Sequence, residues 1–84
     1  MNDSERKAYL KAVGSYCKEQ RIKQDVTLAD LAYIADVSED YIERFENGEI
    51  DMPLDKVVLL THFLNIPFEK LSEIHLEIIE NKKK

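Results

Sequence analysis

Between Thr27 and Gly48 the chain carries three turn signals so close together that only two short helices fit between them. Thr27-Leu28-Ala29-Asp30 has the pattern of a capping box, in which a hydroxyl and a carboxylate three residues apart satisfy the first free N–H groups of a helix. Asp36-Val37-Ser38 follows as a tight turn. Asp36 is among the few non-glycine types that tolerate a left-handed backbone, and Ser38 is a good N-cap for a helix over about Glu39 to Asn47. Asn47-Gly48 then stops that helix, because glycine fits the left-handed position just past a helix end. Leu28, Leu31, Ala32 and Ala35 fall on the inner side of the first short helix, and Tyr41, Ile42 and Phe45 on one side of the second. Two short helices joined by a three-residue turn have helix-turn-helix architecture.

The flanks are helical too. A first segment from about Ser4 to Gln24, with Ser4 as its expected N-cap, places Leu10, Val13, Cys17 and Arg21 on one face. An arginine on an inward face requires a carboxylate partner, since an unpaired buried charge is expensive. Pro53 precedes a fourth helix over about Leu54 to Leu64, carrying Val57, Leu60, Phe63 and Leu64. Asn65-Ile66-Pro67 breaks it, and a fifth helix runs from about Pro67 to Asn81. With two glycines and two prolines the chain lacks the turns that a sandwich or barrel needs. The expectation is one all-α domain over residues 1–84: five helices in a compact domain with a central helix-turn-helix and a core over about 8–71.

From Val13 to Leu71, about seven tenths of the chain, the sequence resembles the phage-repressor (Xre/Cro-like) helix-turn-helix family. The carriers are Val13-Gly14, Lys18, Arg21, Val26-Thr27, Leu31-Ala32, Val37-Ser38, Tyr41-Ile42, Phe45-Glu46-Asn47-Gly48 and Leu60 to Ile66. The resemblance implies a repressor-like DNA-binding fold in which the counterparts of Arg21 and Glu46 form a structural ion pair. It also implies that the third helix enters the major groove of double-stranded DNA with its exposed N-terminal part against the bases.

The charge is uneven in a way that bears on that role. The chain totals −5, but residues 5–24 hold six bases against Glu5 and Glu19, whereas residues 25–51 hold nine acids against Arg44 alone. The outer side of the third helix presents Asp40, Glu43 and Asn47, flanked by Glu39 and Arg44. Family members usually carry Arg, Lys, Gln, Ser or Asn there, and often a glutamine where this chain has Leu28. One reading gives Asp40 or Glu43 the N4 amino group of cytosine, with Arg44 and Asn47 adding base or phosphate contacts. Thr27, Ser38 and Lys56 complete the candidate DNA contacts. A second reading makes the acids a solvated face. A third makes Glu39, Asp40 and Glu43 an acidic surface for a protein partner, as in an anti-repressor or a DNA-mimic inhibitor. Phosphate neutralisation by Lys and Arg supplies much of DNA affinity, and three carboxylates on a reading face oppose it.

In the fifth helix, apolar residues spread over about 200° of the wheel, wider than one buried stripe requires. Leu71, Ile74, His75, Ile78 and Ile79 are therefore candidates for a homodimer interface, and a two-fold would suit a palindromic operator. The alternative is that Tyr9 and Leu10 of the first helix cover the excess. No catalytic constellation stands out, so an enzyme is not expected. His62 and His75 lack metal-ligand spacing, and neither a metal nor a cofactor is expected. Cys17 reads as a small core residue, and the scattered tyrosines as packing. The lone cysteine, the absence of an apolar run long enough to span a membrane, and a charged residue 1–10 segment without an apolar core point to a cytoplasmic setting with no membrane contact.

Overall fold

The helices stop where left-handed residues let the chain reverse. A computed structural model describes residues 2–83, which form α1 (Asp3–Lys23), α2 (Leu28–Ala35), α3 (Glu39–Glu46), α4 (Leu54–Phe63) and α5 (Phe68–Lys83), with no strand among them. Past α1, α2, α3 and α4 stand Asp25, Asp36, Gly48 and Asn65, with φ of 56°, 56°, 75° and 57°. The next residue in each case donates its N–H to a carbonyl five residues back: Val26 to Arg21, Val37 to Ala32, Glu49 to Arg44 and Ile66 to Thr61, at 2.8–3.0 Å. This is the Schellman closure, which satisfies carbonyls that a helix end leaves free.

The starts are equally determined. Thr27 Oγ1 accepts from the Asp30 N–H at 3.0 Å while the Thr27 N–H donates to the Asp30 carboxylate at 3.0 Å, the capping box expected from sequence. Ser38 Oγ accepts from the Tyr41 N–H at 3.1 Å. At α1 the cap is Asn2, two residues before the expected Ser4, because Asn2 and Glu5 form a capping box of their own and start the helix at Asp3.

Leu31, Ile42, Leu60 and Leu64 lie at the centre of the core, none more than 1% exposed. Val13, Cys17, Ala35, Phe45, Met52, Ile66, Leu71 and Ile74 surround them. Burying a residue such as Ile42 or Phe45 contributes roughly 1.5–3 kcal/mol each, and these two anchor α3. Gly14 lets α1 and α3 approach: a Cβ there would stand 2.3 Å from the Phe45 carbonyl oxygen and 2.7 Å from that of Glu46. Phe63, grouped in the sequence with Val57, Leu60 and Leu64, is 39% exposed, because the Leu60, Thr61 and Leu64 side of α4 is the one that meets the core.

The first helix packs against α5 but covers only part of its apolar arc, leaving Leu76 56% and Phe68 49% exposed. Tyr9 meets the His75 ring edge to face at 5.4 Å between centroids, and Lys70 Nζ lies 5.2 Å above the Tyr16 ring. Leu71 and Ile74, candidates for a partner surface, are 6% and 7% exposed and belong to the protomer's own core. His75 is half-buried and Ile78 packs against the core, which leaves Ile79 as the most peripheral of the five candidates.

Candidate nucleic-acid interface

The placement of α3 rests on one ion pair. Arg21 reaches from α1 with Nε donating to Glu46 Oε2 at 2.7 Å and Nη2 donating to Oε1 at 3.1 Å, a two-pronged contact. Its Nη1 donates to the Val26 carbonyl at 3.1 Å, so the guanidinium also fixes the turn into α2. The two side chains are only 12% and 3% exposed. A paired and hydrogen-bonded charge of this kind specifies geometry more than it adds stability. Beside it, burial and then the Glu46 carboxylate push the Cys17 thiol up to about 12. Cys17 is 2% exposed and is a core residue, as expected.

On the other side α3 faces solvent with Glu39, Asp40, Glu43, Arg44 and Asn47 all exposed. The Arg44 Nε donates to Asp40 Oδ2 at 3.0 Å, one turn away, with side chains 58% and 72% exposed. Asn47 Nδ2 donates to Glu49 Oε2 at 3.3 Å. Glu39 and Asp40 occupy the first turn of α3, where negative charge stabilises a helix N-terminus. Folding therefore accounts for those two acids. It does not account for Glu43: among the described residues no ion pair or hydrogen bond engages its carboxylate.

The start of α2 borders this face. A shallow hollow lined by Ile22, Val26, Thr27, Leu28 and Glu39 connects the ends of α1, α2 and α3. Thr27 and Ser38 are exposed at the two helix starts, and each hydroxyl, while accepting the capping bond, keeps its own O–H to donate.

The structure revises the supply of cations. Lys56, a candidate DNA contact, is half-buried and its Nζ donates to the Ala35 carbonyl at 2.7 Å, closing the C-terminal end of α2. That bond ties its ammonium to the end of α2 and leaves two of its N–H groups to donate elsewhere. Lys23 pairs with Glu19 at 3.1 Å along α1. Lys18 stays exposed beside Ser15 and Ile22. The lysine run at residues 82–84 lies outside the described side chains.

Three structural roles were not assigned from the sequence. Gln24 Nε2 donates to the Leu64 carbonyl at 2.6 Å and ties the end of α1 to the end of α4. Gly14 carries the α1–α3 approach. Tyr33, taken as packing, is 86% exposed on α2. A helical wheel for α2 puts Tyr33 opposite Leu31, Ala32 and Ala35, and that wheel was the available signal. No group of His, Cys, Asp and Glu among the described residues could hold a metal ion, and no helix there is long and apolar enough to cross a membrane.

Compared with known proteins, the chain matches a helix-turn-helix family model over residues 18–71, nearly two thirds of its length. That span begins in α1, contains α2, α3 and α4, and ends in α5 at Leu71. No curated protein and no solved structure matches it significantly.

Proposed function

The chain belongs to the helix-turn-helix family of the phage-repressor (Xre/Cro-like) kind, and from that premise we propose that it is a small DNA-binding transcriptional regulator acting as a homodimer in the cytoplasm. In this reading α3 is the reading helix. The observation that carries it is the division of α3 into an anchored side, with Ile42, Phe45 and Glu46 buried, and an outer side fully open to a partner. Asn47 and Arg44 offer base or phosphate contacts, Glu43 accepts from a cytosine amino group, and Thr27 and Ser38 donate to phosphates. Glu19 and Asp40 stand beside Lys23 and Arg44 in exposed pairs and offset part of their charge, so the phosphate term is small. Tight binding then depends on sequence, and non-specific affinity is low, with a salt dependence as shallow as the few phosphates contacted.

One observation favours a second reading. The Arg44 charge is countered by Asp40 and the free Glu43 carboxylate dominates the face, which suits a basic protein surface in place of DNA. Selection of duplexes from a random library, followed by anisotropy titration at about 50 mM salt, separates the two. Enrichment of a defined site whose binding is weakened about tenfold or more by Asn47→Ala supports DNA reading. Failure to enrich any site contradicts it, and Asp40→Lys with Glu43→Lys abolishing capture of a basic protein would then support the second reading.

A further inference from the structure

Helix α4 leaves a large part of its apolar surface uncovered. Leu54, Val58, Leu59 and Phe63 are 67%, 47%, 46% and 39% exposed, and Asp55 and His62 are the exposed polar residues among them. On a helical wheel these six fill the half-circle opposite Leu60, Thr61 and Leu64. Positions 54, 55, 58, 59, 62 and 63 are also symmetric about the point between Val58 and Leu59. An antiparallel two-fold pairing of this helix with a copy of itself would set Leu54 against the second copy's Phe63 and Val58 against its Leu59. Asp55 would stand against His62, twice, two turns apart. An imidazole N–H can donate to a carboxylate whether or not the ring is charged.

We propose that a second copy of this chain docks antiparallel on the outer face of α4, with Val58 and Leu59 at the two-fold axis and Asp55–His62 contacts closing both ends. A two-fold interface must be self-complementary, and this face is so in both apolar and polar residues. The outer side of α5 is not. Leu76 is exposed there, but Glu69, Glu73 and Glu80 accompany it, and the one base on that helix's described side chains, Lys70, is held near Glu73 at 3.7 Å and over Tyr16. Two copies meeting along α5 would set carboxylates against carboxylates. Leu54 and Phe68 line the same cavity, of about 350 Å³, so the apolar surface continues from α4 past the start of α5. Four side chains bury less than the roughly 800 Å² per partner of a standard interface, which gives a dimer that exchanges rapidly.

The inference supplies the surface for the homodimer of the proposed function and rests on that part of it alone, so it is tested on the full chain without DNA. Sedimentation equilibrium is expected to show the mass rising from one protomer towards two between roughly 1 and 500 μM. Val58→Asp weakens association about tenfold or more, and Leu76→Asp changes it less than about threefold. Asp55→Lys weakens it several-fold, and adding His62→Glu restores it, because an ammonium then faces a carboxylate at both ends. All four positions are exposed, so circular dichroism should be unchanged. A single-protomer mass at every concentration overturns the proposal, as does a dimer that survives Val58→Asp or is lost on Leu76→Asp instead. A dimer that Asp55→Lys weakens and His62→Glu fails to rescue overturns the antiparallel register. The DNA titration stands or fails separately.

Discussion

Helix α3 carries two ion pairs, one on each side, and they do opposite work. Glu46 faces inward and meets Arg21 in a contact that is 12% and 3% exposed. Asp40 and Arg44 face outward and are 72% and 58% exposed. Both have the same chemical types at similar distances, 2.7 and 3.0 Å. Burial makes the difference. Glu46 is shut off from solvent, so its loss strands a largely buried guanidinium that also holds the turn before α2. Around Asp40 water replaces whatever a mutation removes. The inner side can therefore hold the fold while the outer side is free to change its ligand.

Breaking the inner pair has the largest expected effect. Glu46→Ala should destabilise the domain by about 3–5 kcal/mol in urea unfolding, since it leaves Arg21 buried and unpaired. Gly14→Ala acts on the same α1–α3 contact through the backbone. Its methyl would meet two carbonyl oxygens at 2.3 and 2.7 Å, and a loss of about 1–3 kcal/mol is expected. Cys17 reports on the same buried region. A thiol pushed up to about 12 holds its proton in the folded state where the unfolded thiol has already lost it. Its contribution to stability is complete below about pH 8.5 and is lost as pH rises from there towards 12. Native protein at pH 8 should react with a thiol reagent only through unfolding, which a denaturant series would reveal.

The outer pair should show the smallest effect. Asp40→Ala or Arg44→Ala is expected to change stability by no more than about 0.5 kcal/mol, because exposed pairs one turn apart contribute little. A loss of more than 1 kcal/mol at Asp40 would erase the contrast between the two sides. A loss near zero at Glu46 would erase it from the other direction.

Much of this was legible in the sequence, for local reasons. Thr27-Asp30, Asp36-Val37-Ser38 and Asn47-Gly48 set helix starts and stops through hydrogen bonds within a few residues, and all three form as read. Asn65-Ile66-Pro67, read as the end of α4, closes in the same left-handed way, and so does Asp25-Val26-Thr27, which the same pattern would have located. The Arg21–Glu46 pair came from family resemblance, and its burial confirms it. What the sequence could not give depends on neighbours in space. Lys56 looked like a free cation until the Ala35 carbonyl was seen against it. Leu71 and Ile74 looked available because a wheel counts apolar residues and does not say whether α1 is already there. The candidate reading face was visible as a set of residues, but Glu43 separated from Glu39 and Asp40 only once helix starts and partners were placed.

The central claim is that α3 holds the fold with one side and reads DNA with the other. It is tested most directly by titrating one selected duplex with wild type, Asn47→Ala and Glu43→Gln, each checked for unchanged unfolding. The account predicts folded variants with binding weakened about tenfold or more by Asn47→Ala, and with altered preference at a single base pair for Glu43→Gln. Wild type that binds no duplex at 50 mM salt, or variants that bind every duplex as wild type does, would contradict it.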